Sequence, residues 1–199
     1  MHGLINKSLQ SFFIDTFGAA AWQDIAARSG ITQRLGTDGF EAMRLYDDTL
    51  THAMLDAAST LLRRPRDSLL EDLGTYLVSH ERMEALRRLL RFGGVSFTDF
   101  LFCLDDLQGR SRLAVPDLAL PDFVIDEGGP GRFTLRCRGG PPGFGHVMTG
   151  ILRALADDYG ALVVLDHSGN SGGDDCIDII LHDPAHHAGR AFHLAAETR

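Results

Sequence analysis

The sequence predicts an α+β domain, with a helical first part followed by a four-stranded antiparallel sheet that carries one inserted helix. Two observations support this prediction. Apolar residues recur at helical spacing up to about residue 115. After Pro116 they alternate with polar residues, as in strands, except for a helical stretch from Phe144 to Asp158. Helices followed by strands indicate an α+β architecture rather than repeated βα units.

Six helices are expected before the change of period. Gly18 is a plausible end for the first, and Pro65 separates the third from the fourth. Between these breaks the apolar residues recur at intervals that place them on one helix face. The expected ranges are 4–17, 20–28, 48–62, 69–78, 83–90 and 97–108.

The last of these helices has the clearest boundaries. The sequence Ser96-Phe97-Thr98-Asp99 is typical of an N-terminal cap, and Gly109 is typical of a C-terminal exit. We therefore expect Gln108 in the last turn of this helix, beside the apolar stripe that includes Leu104 and Leu107.

The sheet is predicted from four short runs. Phe123–Ile125 and Phe133–Cys137 flank a glycine-rich turn at Glu127–Gly131, which is typical of a hairpin. After the inserted helix, runs at 161–165 and 176–181 surround a Gly/Asp-rich turn and predict two more strands.

Size and composition place limits on the function. A chain of 199 residues fits one domain, expected at residues 1–183 with a tail at 184–199. The helical part is expected to end at about 115, and the sheet part to span 116–183.

The formal charge of −8 argues against general nucleic-acid binding. We expect the arginines near residues 82–91 to lie on a solvated helix face. The sequence has no apolar run of about 20 residues and no signal-peptide pattern, so we expect a cytoplasmic protein without a membrane interaction.

The three cysteines, Cys103, Cys137 and Cys176, do not predict a disulfide framework, because they are odd in number and far apart. Cys103 lies beside an apolar stripe and is expected to be a core residue. A thiol switch would require Cys137 and Cys176 to lie close together.

Several motifs follow one another in an order that resembles the haem-nitric oxide/oxygen binding (H-NOX) family. The resemblance extends from Met1 to about Leu181. It implies the α+β fold of a sensor domain of soluble guanylate cyclases and bacterial gas sensors, without enzymatic activity. The motifs are Gly3-Leu4-Ile5-Asn6-Lys7, Phe17-Gly18 with Trp22, Phe97-x-x-Phe-Leu-x-x-Leu-Asp-Asp-Leu, Pro116-Asp117-Leu118, Pro121-Asp122-Phe123, and Gly143-Phe144 before Gly150-Ile151-Leu152.

The resemblance also implies a haem site, but this chain departs from it at two places. Gln108 stands where the family has the histidine that ligates the haem iron, and a glutamine amide is a poor iron ligand beside imidazole. The family holds the haem propionates with a Tyr-x-Ser-x-Arg motif, and alignment places Cys137, Gly139 and Pro141 there. None of these three supplies the charge-assisted donors that buried carboxylates need. We expect the chain not to bind haem in the usual way, although Arg136 or Arg138 could reach a propionate if the alignment shifted.

The family pocket would be lined here by Ile5, Leu104, Pro121 and Phe144, which are equally consistent with an ordinary core. In this setting Gln108 would hydrogen-bond a buried backbone group or a water, or contact a small-molecule ligand other than haem. If haem is absent, either bulky neighbouring side chains fill this pocket or a cavity persists there. The candidates are Phe12, Phe13, Phe97 and Phe100.

Three functions follow from these observations. The first is a stand-alone sensory or regulatory module that acts on a separate histidine kinase or diguanylate cyclase, as the resemblance implies. The second is a haem-binding NO/O2 sensor with a substitute axial ligand, for which His80 and His146 are the candidates. The third is a metal-dependent enzyme built on the late histidines, a stretch that is otherwise expected to be a tail. These histidines are His182, His186, His187 and His193, near Asp183.

Overall fold

A computed structural model of the protein describes residues 1–36, 39–171 and 174–190. It confirms the α+β class, with helices followed by an antiparallel sheet. The chain divides into two compact units, Met1–Leu73 and Gly74–Arg199. The boundary between them falls inside a helix rather than near residue 115, where the sequence period changes.

The first unit consists of helices. They are α1 (Gly3–Phe17), α2 (Ala19–Arg28), α3 (Ile31–Leu35), α4 (Asp48–Leu62) and the start of α5 (Arg66–Ser79). Side chains cap two of them: the imidazole of His2 accepts from the Leu4 amide at the start of α1, and Asp47 accepts from the Thr49 amide at the start of α4. The short helix α3 was not predicted, because its five residues are too few for a clear period.

The core of the first unit is formed by apolar residues of α1, α2 and α4. Phe12 and Phe13 are both buried, with ring centroids 5.2 Å apart. Ile25 and Met54 are also fully buried. Phe12 and Phe13 are therefore core residues of this unit, as the sequence allowed.

The second unit contains the end of α5, a 3₁₀ turn at Glu81–Met83, four further helices and the sheet. The helices are α6 (Glu84–Arg91), α7 (Phe97–Phe102), α8 (Leu107–Ala114) and α9 (Phe144–Tyr159). The strands are β1 (Asp122–Gly129), β2 (Arg132–Arg138), β3 (Leu162–Ser171) and β4 (Asp174–Asp183), in the spatial order β1-β2-β4-β3 with every pair antiparallel.

The inserted helix α9 is the most buried helix of this unit and packs against β3 and β4. Buried residues from the strands, including Phe133, Leu135, Ile177 and Ile179, form the inner face of the sheet. One face of the sheet is therefore covered, and the other carries mainly polar and charged side chains, as is usual for an antiparallel sheet.

The expectation of one helix from residue 97 to 108 is wrong. Ser96 and Asp99 form the expected capping box, but α7 ends at Phe102. In a continuous α-helix the Leu107 amide would donate to the Cys103 carbonyl oxygen, but here it donates to the Leu104 carbonyl oxygen. The Cys103 carbonyl oxygen accepts from the Arg110 guanidinium instead, at 3.0 Å. A turn therefore replaces the helix, and a new helix begins at Leu107.

Among the described residues, none of the helices has the length and apolar character needed to cross a membrane.

Candidate functional site

Gln108 lies in the first turn of α8, not in the last turn of a longer helix, because of the break after α7. Its side chain is half-buried. The amide Nε2 donates a hydrogen bond to the backbone carbonyl oxygen of Leu120, at 3.0 Å, and the Ser111 hydroxyl donates to the Gln108 carbonyl oxygen at 2.8 Å. Of the roles considered for Gln108, the observed one is a bond to a backbone group. Gly109 continues α8 and does not end a helix.

A second side chain attaches the same segment to the sheet. Asp105, in the turn between α7 and α8, accepts a hydrogen bond from the Ile125 amide of β1 at 3.3 Å. Phe102, at the end of α7, packs edge-on against Phe133 of β2, with ring centroids 6.0 Å apart. The segment from α7 to α8 is therefore joined to the first hairpin of the sheet by polar and apolar contacts.

Three of the four residues expected to line a pocket belong to the second unit. Leu104 and Pro121 are buried, and Pro121 packs so closely on Gly140 that a Cβ there would lie 2.2 Å from its Cγ. Phe144 is half-buried, with its ring 6.1 Å from that of Phe123. Ile5 is half-buried on α1 of the first unit. Phe97 and Phe100 are core residues of the second unit.

The three positions that the resemblance aligns with the propionate-binding motif carry no suitable donors. Cys137 is buried on the inner face of β2, and desolvation raises the pKa of its thiol to about 12, so it stays neutral. Gly139 has no side chain and a φ of 68°, and Pro141 lacks a backbone N–H. A neutral thiol is only a weak hydrogen-bond donor.

The two arginines that could have substituted are both paired with carboxylates. Arg136 Nε donates to Asp126 Oδ2 at 2.8 Å, and this hydrogen bond raises the pKa of the Arg136 guanidinium. Arg138 Nε donates to Asp174 Oδ2 at 3.2 Å. Both ion pairs link neighbouring strands of the sheet.

The two histidines considered as substitute iron ligands make other contacts. His80 Nδ1 accepts from the Arg82 amide at 3.3 Å, and its ring centroid lies 4.7 Å from that of Tyr76. The His146 ring stacks on His167 at 4.1 Å. These contacts fix each ring against its neighbours.

The late histidines do not form a metal centre in the described part of the chain. His186 Nδ1 lies 3.8 Å from Asp183 Oδ2, and His187 Nδ1 accepts from the Gly189 amide at 3.0 Å. His182 is exposed at the end of β4, and His193 lies outside the described residues. Within residues 1–36, 39–171 and 174–190, no group of three or more His, Cys, Asp or Glu side chains is arranged to hold a metal ion.

Cys137 and Cys176 lie on opposite faces of the sheet. In the pairing of β2 with β4, Arg136 is opposite Cys176 and Cys137 is opposite Asp175. Because consecutive residues of a strand point to opposite faces, the two thiols are separated by the sheet. A switch between these cysteines is therefore not supported.

One buried ion pair was missed by the sequence interpretation. Arg87 was expected on a solvated helix face, but it is buried and its Nε donates to Asp158 Oδ2 of α9. Arg87 is three residues before Leu90, which is also buried, so both lie on the inward side of α6. That spacing was the sequence signal that Arg87 faces inward. Arginine is rarely buried without a partner, however. The partner, Asp158, is 71 residues away and could not be identified from the local sequence.

These side chains do not fit a haem held as the resemblance implies. The Gln108 amide is hydrogen-bonded to Leu120, and its oxygen is a weak ligand for iron. The three aligned motif positions lack donors for carboxylates, and Arg136 and Arg138 are bound to Asp126 and Asp174. What the site does provide is a set of contacts that hold α8 against the segment leading into β1.

Comparison with known proteins gives one family. The family model described as haem-NO-binding matches residues 2–167. The chain is 26% identical over 158 residues to the soluble guanylate cyclase gcy-31 of Caenorhabditis elegans, covering 79% of this chain and 22% of that protein. It is 27% identical over 158 residues to gcy-34 of the same organism, covering 78% of this chain and 23% of that protein. The chain thus spans less than a quarter of the length of these curated relatives.

Solved structures show the same fold at lower identity. An H-NOX protein from S. oneidensis in the Fe(II)NO ligation state matches with a TM-score of 0.75 and 15% identity, covering 92% of this chain and 100% of that one. The Fe(II) unliganded H-NOX protein from K. algicida matches with a TM-score of 0.74 and 18% identity, covering 92% and 97%. These likenesses establish the fold.

Proposed function

This chain belongs to the haem-NO-binding family, and we propose that it is a sensory or regulatory signalling domain that does not hold haem through the family's usual contacts. Domains of this family are sensors and not catalysts, and the match to the guanylate cyclases covers less than a quarter of each enzyme. We therefore assign no reaction to the chain itself. On this proposal it works in the cytoplasm.

The observation that carries the proposal is the hydrogen bond from Gln108 to the Leu120 carbonyl. It gives the residue at the axial position a structural role within the protein. The absence of suitable side chains at Cys137, Gly139 and Pro141 is an independent support, because it concerns the propionates and not the iron. The residue at the iron-ligand position and the residues at the propionate positions both differ from the pattern that the family resemblance implies.

A trigger other than the usual haem chemistry must then act through population shift. A ligand can switch the domain only if it binds two arrangements with different affinity, and each tenfold difference supplies about 1.4 kcal/mol. The contacts around α8 suggest where such arrangements differ. Opening the Gln108–Leu120 and Asp105–Ile125 bonds would release the start of α8 and the preceding turn from β1.

The output requires an effector. The curated relatives are soluble guanylate cyclases in which the matched region is a minor part of a longer protein. A histidine kinase or diguanylate cyclase on a separate chain is the partner that we propose here. Mixing each purified candidate with the domain and measuring autophosphorylation or cyclic dinucleotide synthesis would identify it.

The haem-free part of the proposal has a direct optical test. The chain is purified from haem-supplemented cells, and the apoprotein is titrated with hemin. We expect no stoichiometric Soret band in the region of roughly 400–430 nm that ligated haem shows. A band at one haem per chain, with saturation in the titration, contradicts the proposal.

Variants identify the ligand if such a band is found. A band that survives Gln108→Ala but is lost in His80→Ala or His146→Ala indicates a haem-binding sensor with a substitute axial ligand. Native mass spectrometry of the same preparation tests for a different small molecule, because a bound compound adds its mass to the chain.

A further inference from the structure

We infer that residues 184–190 form a detachable strap, and that docking of this strap sets how firmly α9 holds α6. The strap follows β4 and lies beyond residues 2–167, the part of the chain that the family model matches. It runs back across the C-terminal end of α9. A partner that binds the strap would therefore change the packing of α6 against α9.

Two backbone hydrogen bonds attach the strap to the end of α9. The Arg190 amide donates to the Asp158 carbonyl oxygen at 2.9 Å, and the His187 amide donates to the Gly160 carbonyl oxygen at 3.1 Å. The last four carbonyl groups of a helix have no partner within that helix. The strap supplies the partner for one of these groups, that of Asp158, and so caps the end of α9.

Two glycines allow the strap to approach the helix end closely. Gly160 has a φ of 76°, and a Cβ there would lie 2.1 Å from the His187 carbonyl oxygen. Gly189 has a φ of 66°, and a Cβ there would lie 2.8 Å from the Asp158 carbonyl oxygen. Both φ values lie in the left-handed region that glycine adopts without strain. The sequence of the strap and that of the helix end therefore fit each other.

The last two residues of α9 connect the strap to α6. The Asp158 carbonyl oxygen accepts from Arg190 of the strap, while the Asp158 carboxylate accepts from Arg87 of α6. The next residue, Tyr159, lies under Arg91 of α6, with 3.8 Å between the Arg91 Cζ and the ring centroid. The last turn of α9 thus holds α6 on one side, and the strap holds that turn on the other.

The strap is the weaker of these two connections. Its side chains are all exposed, apart from Gly189, which has none. A segment that buries no apolar side chain opens locally at low cost. The Arg87–Asp158 pair is buried, and leaving either charge without its partner is costly. We therefore expect the strap to open first, and its opening to leave the last turn of α9 free to fray.

Hydrogen exchange of individual amides in the full chain tests this inference. Gly189→Ala sets a Cβ against Asp158, so the strap amides of His187 and Arg190 should exchange at least ~10-fold faster. The amides of α6 should then exchange at least ~3-fold faster. Their increase should exceed any increase at Ile177 and Ile179, which lie inside the sheet and report its opening.

Gly169→Ala is the matched control for this substitution. Gly169, in β3, also has a left-handed φ, of 80°, but a Cβ there meets nothing within 4 Å. The substitution carries a similar backbone strain without touching the strap. It should leave exchange in the strap and in α6 as it is in the parent.

Coupling between two elements is reciprocal, so the strap should also respond to a change in α6. Arg91→Met removes the cation from the Tyr159 ring and should speed exchange of the strap amides at least ~3-fold. Arg88→Met is the control on the same helix, because Arg88 pairs with Glu84 of α6 itself. It should leave the strap unchanged. Circular dichroism confirms that each variant is folded.

Three results would overturn the inference. Strap amides that do not respond to Gly189→Ala would contradict the docked geometry. A strap that opens while α6 stays protected would make it an independent tail. Equal acceleration in α6 and at Ile177 and Ile179 would indicate a general loss of stability. The haem-free proposal is unaffected by any of them, because its test is the absorbance spectrum.

Discussion

The side-chain amide of Gln108 and the backbone carbonyl of Leu120 are 3.0 Å apart and form a hydrogen bond that joins α8 to the segment entering β1. Leu120 comes twelve positions after Gln108, and the intervening chain contains the rest of α8 and the turn at Pro116. The bond closes this loop at the position that the resemblance aligns with the family's iron-ligating histidine.

Gln108→Met should lower the free energy of unfolding by about 1 kcal/mol, because it keeps the side-chain length but leaves the half-buried Leu120 carbonyl without this donor. Urea denaturation measures the loss, and hydrogen exchange should be faster in α8. The control is Gln23→Met on α2, where the side chain is exposed. We expect that control to change stability by less than ~0.5 kcal/mol. Equal losses in the two variants would contradict the role of the bond.

If the proposal is right, introducing the family residues that the resemblance implies should produce haem binding. Hemin titration of a variant with Gln108→His, Cys137→Tyr, Gly139→Ser and Pro141→Arg should give a stoichiometric Soret band, whereas Gln108→His alone should bind more weakly. The serine has a cost of about 1 kcal/mol, because Gly139 has a φ of 68°. A parent chain that binds hemin as tightly as the fourfold variant would show that the changed positions do not determine binding.

Asp158→Asn should destabilise the protein by about 3 kcal/mol or more, because it leaves the Arg87 guanidinium buried without a counter-charge. Both side chains are over 90% buried, with relative exposures of 7% and 9%. Thermal or urea unfolding measures the effect. The matched control is Glu84→Gln, which removes the partner of Arg88 at the surface and should cost no more than ~1 kcal/mol. Similar losses in both variants would argue against a buried pair.

Two glycine substitutions should change stability in opposite directions. Gly74→Ala should destabilise, because a Cβ there would lie 2.0 Å from the Val147 carbonyl oxygen, and α5 and α9 would have to separate. Gly109→Ala should stabilise by about 0.5–1 kcal/mol, because Gly109 is inside α8 and a Cβ there meets nothing within 4 Å. Unfolding midpoints measured in parallel test both. A stabilising Gly74→Ala would show that the two helices are not in close contact.

Stability should fall at alkaline pH. Burial raises the pKa of the Cys137 thiol from 9.0 to about 12, so the unfolded chain loses this proton at lower pH than the folded chain does. The contribution is therefore complete below pH 9 and is lost as the pH rises from 9 toward 12, at up to about 1.4 kcal/mol per pH unit. Urea unfolding at pH 8, 9, 10 and 11 measures the slope. Cys137→Val should reduce it, and an unchanged slope would remove Cys137 as its source.

The class of fold, the position of the sheet and most helix boundaries were predictable from local patterns. The apolar spacing of α1, α4 and α9 and the glycine-rich turn between β1 and β2 are signals contained within a few residues. The break after Phe102 was not predictable in this way. Phe100, Leu101 and Leu104 favour a continuous helix, but the Cys103 carbonyl oxygen accepts a hydrogen bond from the Arg110 side chain, a contact that local spacing does not reveal.

The contacts of the candidate site were not predictable from the sequence. The resemblance proposes Gln108 and the positions of Cys137, Gly139 and Pro141 as site residues, and this assignment stays a prediction. The bond of Gln108 to Leu120 and the burial of Arg87 against Asp158 depend on which distant segments meet, and that information is not present in the spacing of the residues themselves.

The turn between α7 and α8 limits how far a movement can travel. A continuous helix of three turns would transmit a displacement of one end to the other end. Here two short helices meet at a turn, and hydrogen bonds of Asp105 and Arg110 hold this turn to β1 and to Cys103. On the proposed function, we therefore expect a ligand near Gln108 to act on the strand edge beside α8 rather than on the start of α7.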